Sequence, residues 1–150
     1  MNETKNITVQ VTHHFRQSAE RVFDAWLDAE KASRFMFSTE TGDLVRCDID
    51  ARVGGEFVMT DRRPDGDVEH RGRYLEIERP HRLVFTFGIP AESPDVDVVT
   101  VEIRPVDGGC QLTLTTEMKP EWADYVDRTR AAWSKILGAL DDTLQADRAA

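Results

Sequence analysis

Cysteine is scarce in this chain, with only Cys47 and Cys110, far apart and in no CxxC arrangement. A disulfide scaffold is therefore excluded and no cysteine-based zinc site is on offer; two buried thiols are expected. Long hydrophobic runs are missing as well, and nothing approaches the roughly twenty apolar residues of a membrane span. The opening Met1-Asn-Glu-Thr-Lys-Asn6 lacks the apolar stretch of a signal peptide, so a cytoplasmic protein is expected. Positive charge is in deficit, with 19 Lys and Arg against 28 Asp and Glu and a net charge of −9. A nucleic-acid binder needs a basic field, so that partner class is set aside. Arg71, Arg73, Arg79 and Arg82 do gather mid-chain, but interleaved with Glu69, Glu76 and Glu78 they read as a solvated sheet face. Catalytic signatures are also absent: no GxSxG, HExxH, GxxxxGK or GxGxxG occurs.

What remains is ordinary globular composition, 40% hydrophobic and 31% charged over 150 residues. That suits one domain, 1–150, with a real core. Residues 7–16 alternate, with Ile7, Val9, Val11, His13 and Phe15 on one face, and predict a half-buried strand. Ser18 is placed to cap a short helix whose apolar side is Val22, Phe23, Trp26 and Leu27. A second short helix starts near Asp28 and runs into Phe35-Met36-Phe37. Six strands follow, centred on Val45–Ile49, Phe57–Met59, residues 68–78, Leu83–Phe87, Val99–Ile103 and Leu112–Met118. They are punctuated by Gly54-Gly55, Pro64-Asp65-Gly66, Arg79-Pro80, a loop from Pro90 to Asp95, and Asp107-Gly108-Gly109.

The chain closes on an amphipathic pattern from Pro120 to about Asp147. Trp122, Val126, Thr129, Trp133, Ile136, Leu137, Leu140 and Leu144 recur at spacings of three and four. A continuous helix is predicted there. The order β-α-α-β6-α makes an α+β fold: a curved antiparallel sheet wrapped around the long C-terminal helix.

Four segments, in that order, resemble the activator of heat shock protein 90 ATPase homologue-like family of the helix-grip superfamily, with its START domains and Bet v-type allergens (SRPBCC). They are Ser18-Ala-Glu-Arg-Val-Phe-Asp-Ala-Trp-Leu27, the Arg52-Val-Gly-Gly55 hairpin within Cys47–Phe57, the run Gly72–Phe87 around Arg79-Pro80-His81-Arg82-Leu83, and Ala131–Leu140. Two departures stand out. Phe35-Met36 replaces the family's frequent paired tryptophans, and Ala132 stands where Gly usually precedes the tryptophan. The resemblance implies a hydrophobic small-molecule cavity between helix and sheet, or contact with a chaperone. Six residues before the first strand leave no room for the separate N-terminal domain of eukaryotic co-chaperones, so chaperone stimulation is the less expected role.

The candidate lining of that cavity is Trp26, Phe35, Phe37, Phe57, Met59, Phe85, Phe87, Val101, Trp122, Val126 and Trp133, with its mouth near Trp122 and Val126. Ordinary core packing is the alternative for each. His70 and Tyr74, four apart on one strand, are the candidate polar groups. The plainer expectation turns His70 to solvent beside Arg71 and packs Tyr74 in the core. His13 reads as a partly buried histidine and His14 as a surface one; adjacent strand residues face opposite ways and cannot share a metal. Asp48/Asp50 and Asp141/Asp142 read as surface charge. Non-catalytic binding of a hydrophobic or aromatic ligand is thus the leading expectation. The alternatives are a chaperone ATPase activator, and a cyclase- or hydratase-type cavity enzyme using His70 and Tyr74. No metal or cofactor is expected, and the oligomeric state, a homodimer included, is left open.

Overall fold

The computed structural model describes residues 7–36, 43–64, 66–91 and 96–149. Strand β1 (Ile7–Phe15) leads into α1 (Ala19–Leu27) and α2 (Ala29–Phe35). The strands β2 (Asp43–Ile49), β3 (Glu56–Arg63), β4 (Gly66–Glu78), β5 (Arg82–Phe87), β6 (Asp97–Val106) and β7 (Gly109–Met118) follow. A 3-10 helix (Pro120–Tyr125) then precedes α3 (Val126–Ala149). Both short helices carry the caps their sequence provides. The Ser18 hydroxyl accepts from the Arg21 N–H at 3.2 Å, and the Asp28 carboxylate accepts from those of Glu30 and Lys31 at 3.0 and 3.2 Å.

All seven strands form one antiparallel sheet in the order β1-β7-β6-β5-β4-β3-β2. The six-strand meander is sequential, and β1 crosses over to pair with β7. α3 packs against β1 and α2, and α1 touches β6 and β7, so the helices cover one face of the sheet. Leu137, Leu140 and Leu144 of α3 meet Phe15, Val22, Phe23 and Leu114 in the fully buried centre. Half-buried His13 ties the layers together, its Nε2 lying 2.8 Å from the Asp141 carboxylate. Asp141 is therefore an inter-element partner rather than a plain surface charge. His14 is exposed, as expected.

Two departures from regular geometry shape the inner face. In β4 the register shifts between Tyr74 and Glu76, leaving Leu75 as an extra, exposed residue. Up to Arg73 the strand pairs with β3; from Tyr74 it pairs with β5. Such a bulge bends the sheet and resets which residues face inward. Thus His70 and Tyr74 are buried ahead of it, and Ile77, of the opposite parity, packs on the core after it. Nearby, Gly72 admits no side chain. A Cβ there would lie 1.9 Å from the Thr86 carbonyl oxygen and 2.3 Å from Phe57 Cζ.

The other departure corrects the expected closing helix. Trp122 has non-helical φ/ψ of −98° and 19°, and the segment ahead of Val126 is a separate 3-10 turn that buries no residue. Pro120 does start that turn, as its missing N–H suits. The kink takes Trp122 off the inner stripe. Its ring instead meets Tyr125, centroids 5.4 Å apart, with the Arg128 guanidinium 5.3 Å from the Tyr125 ring centre.

Candidate functional site

The concave face of β3, β4 and β5 gathers most of the expected lining. Strand alternation aims Phe57 and Met59 of β3 and Phe85 and Phe87 of β5 inward, opposite Trp26 and Phe35 from the two short helices. Ring centroids fall at 5.4 Å for Trp26–Phe35, 6.3 Å for Trp26–Phe85, 5.6 Å for Phe57–Tyr74 and 5.6 Å for Phe57–Phe85. These are the tilted and edge-on contacts that aromatic quadrupoles favour. A second run continues towards α3: His70 meets Phe87 at 5.3 Å, and Phe87 meets Trp133 at 5.5 Å. Val101 is fully buried beneath the same sheet face.

Trp122 and Val126 do not join this cluster. Trp122 sits on the kinked turn, and Val126 is half-buried at the start of α3. Phe37 lies outside the described residues. Two residues that sequence reasoning left off the lining, Met36 and Leu83, complete a small cavity with Trp26, Phe57, Met59, Tyr74 and Phe85. The alternation Leu83, Phe85, Phe87 carried the signal for Leu83. Met36 had only its place in an apolar cluster.

That cavity holds about 10 Å³, room for a single water. Trp26, only 5% exposed, presents an indole N–H that has no hydrogen-bond partner among the described residues. A buried donor of this kind carries its full desolvation cost, about 1–3 kcal/mol, until something accepts from it.

His70 is 2% exposed, which overturns its expected place in solvent. The reason is parity: it stands opposite Met59 on the inner face, ahead of the bulge. Burial, with the nearby Arg63 charge, pulls its pKa from 6.5 down to about 4 and so keeps the imidazole neutral. Tyr74 is 3% exposed, and burial pushes its phenol well above the ordinary value. The two are not placed for joint acid–base work. Four strand residues separate their Cα atoms by about 13 Å, and the Phe57 ring fills the notch over Gly72 between them.

Burial raises the Cys47 and Cys110 thiols to about 11 each, which disfavours the nucleophilic thiolate. No group of three potential metal ligands occurs among the described residues. The mid-chain arginines lie on the outer face in carboxylate pairs: Arg71 with Glu69 at 2.7 Å, Arg73 with Glu56 at 2.9 Å, and Arg82 with Glu102 at 3.1 Å. Arg79 reaches Asp24 on α1 at 2.7 Å. No helix among the described residues is long and apolar enough to cross a membrane.

The model of the family described as Activator of Hsp90 ATPase homolog 1-like protein matches residues 16–145. No curated protein matches the sequence. Among solved structures, the AHSA1-like protein of Aeromonas hydrophila superposes with a TM-score of 0.80 at 22% identity, covering 94% of each chain. A protein of unknown function from Staphylococcus aureus gives 0.85 at 18% identity over 99% of each chain. A protein from Rhodobacter sphaeroides gives 0.82 at 21% identity over 97% of this chain and 95% of its own. At such identities the likeness shows the helix-grip fold alone. The family match spans most of the sequence, and the chain belongs to the Activator of Hsp90 ATPase homolog 1-like family.

Proposed function

We propose that this member of the Activator of Hsp90 ATPase homolog 1-like family acts, as one START-like domain, by binding a hydrophobic or aromatic small molecule without catalysis. The ligand would lie between the concave sheet face and α3. The observation that carries this reading is the unpartnered Trp26 indole N–H at the wall of an aromatic cavity, where a ligand acceptor would restore the missing hydrogen bond. Trp26, Phe35, Phe57, Met59, Phe85, Phe87, Val101 and Trp133 would form the lining, with Tyr74 and His70 as its polar members. Trp122 and Val126 would stand outside it. Space for one water is far too little for such a ligand, so binding must open the cluster. Met36 and Met59 suit that, because unbranched thioether chains change rotamer at low cost. Opening consumes part of the binding energy, and affinity is lowered by the fraction of molecules already open.

Native mass spectrometry of the freshly purified protein, followed by the same sample denatured, tests the proposal. A reproducible extra mass that leaves on denaturation is expected. Should native protein soaked in small aromatic compounds stay at the bare chain mass, and its melting temperature not rise, the cavity reading is wrong.

A chaperone-facing role is the second reading, favoured by the family match alone. The cyclase- or hydratase-type alternative has less support, because the Phe57 ring lies between His70 and Tyr74.

A further inference from the structure

The inner face of β3 ends in a charge. Phe57, Met59 and Asp61 alternate towards the helices, and Asp61 is 2% exposed. Its Oδ2 accepts from Arg63 Nε at 2.7 Å, whereas its Oδ1, equally buried, has no hydrogen-bond partner among the described residues. Cross-strand pairing sets His70 opposite Met59 and Val68 opposite Asp61, so the imidazole and the carboxylate are diagonal neighbours on one face. Phe87 lies against the imidazole, and Trp133 of α3 against Phe87.

A buried carboxylate oxygen left without a partner calls for an explanation, and a bound donor supplies one. Packing alone would have been better served by leucine. The charge balance narrows what could come. Arg63 already neutralises Asp61, and the Arg63 field acts on His70 more strongly than that of Asp61. A second cation would enter desolvated and uncompensated. A neutral donor needs no such compensation and would gain a charge-assisted hydrogen bond.

We propose that Asp61 Oδ1 forms the specificity subsite of the cavity, accepting a hydrogen bond from a neutral hydroxyl or ring N–H on an aromatic ligand whose plane packs on Phe87 and Trp133. This rests on the ligand-binding reading above and adds the chemical class. Ligands with an aromatic frame and one donor edge are selected over apolar, cationic and acceptor-only analogues.

Titration calorimetry of the full chain with 2-naphthol, 2-methoxynaphthalene and protonated 2-naphthylmethylamine tests it. Wild type should bind 2-naphthol at least about tenfold more tightly than the methoxy analogue, the value of one hydrogen bond to a charged acceptor. The ammonium compound should bind most weakly. Asp61→Leu should bring the naphthol and methoxy affinities together while keeping or raising the melting temperature. Asp61→Asn, which keeps an acceptor oxygen and serves if the leucine variant does not fold, should reduce the preference to a few-fold. Equal binding of both neutral compounds by wild type, a preference that survives Asp61→Leu, or preference for the ammonium overturns the subsite and leaves the cavity standing. If no compound binds at all, the cavity reading falls and the subsite with it.

Discussion

His70 shows how one residue's place alters its chemistry. On an exposed strand it would titrate near 6.5; buried beside Phe87, it stays neutral until about pH 4. Between those values the unfolded chain takes up a proton that the folded one refuses, so stability must fall as pH drops through that window. Above about pH 6.5 both states are neutral and the effect vanishes. The wild type should therefore lose roughly 2–3 kcal/mol more than His70→Gln on going from pH 7 to pH 4.5, by urea unfolding at each pH. An identical acid limb in the two proteins would mean that His70 is protonated in the fold. The position of the histidine in the chain hides all this. Its neighbours Arg71 and Glu69 suggest solvent, and only the pairing with Met59 turns it inward.

Among the elements, the closing helix is where periodicity and structure part company. The three-and-four spacing runs unbroken through Trp122, yet the chain kinks there and α3 begins at Val126. Pro120 imposes the tight first turn, and the Trp122 ring finds Tyr125 rather than the sheet. The two tryptophans of the pattern thus have unlike roles. Trp133→Ala, which empties a site 5% exposed, should cost about 3–5 kcal/mol. Trp122→Ala should cost about 1 kcal/mol, the worth of one exposed aromatic pair. Chemical denaturation of both variants checks this; comparable losses would show that Trp122 belongs to the core. β4 teaches the same lesson through its bulge at Leu75, which has no signature in the alternating pattern.

For the whole molecule, the question is whether the surface or the interior is the functional part. The net charge of −9 spreads over a surface where Arg71, Arg73 and Arg82 of the outer sheet face are each matched to a carboxylate. Such exposed pairs contribute little to stability. The inner face concentrates what is unusual: the aromatic cluster, an unpartnered indole N–H, a half-used buried carboxylate and a neutral imidazole. The expected outcome is that the chain alone, at micromolar concentration, leaves the ATPase rate of a heat shock protein 90-type chaperone unchanged. A coupled ATPase assay settles the point, and a several-fold rise would move the function to the surface.

The sequence by itself determined the α+β class, the six-strand meander after two short helices, the helix cap at Ser18, and most of the apolar inner face. Each follows from local periodicity, turn residues and capping chemistry, which a short window of chain contains in full. The crossover that pairs β1 with β7 was settled by the tertiary structure, since no local pattern encodes it. Only the tertiary structure decided the burial of His70 and Asp61, the Phe57 ring over Gly72, the His13–Asp141 tie and the kink at Trp122. The burial of His70 and Asp61 and the placing of Phe57 over Gly72 depend on the register of β3 against β4, and the His13–Asp141 tie on how α3 docks on β1. Neither is a property of any local window, because side-chain facing is set by register, and register is settled between strands.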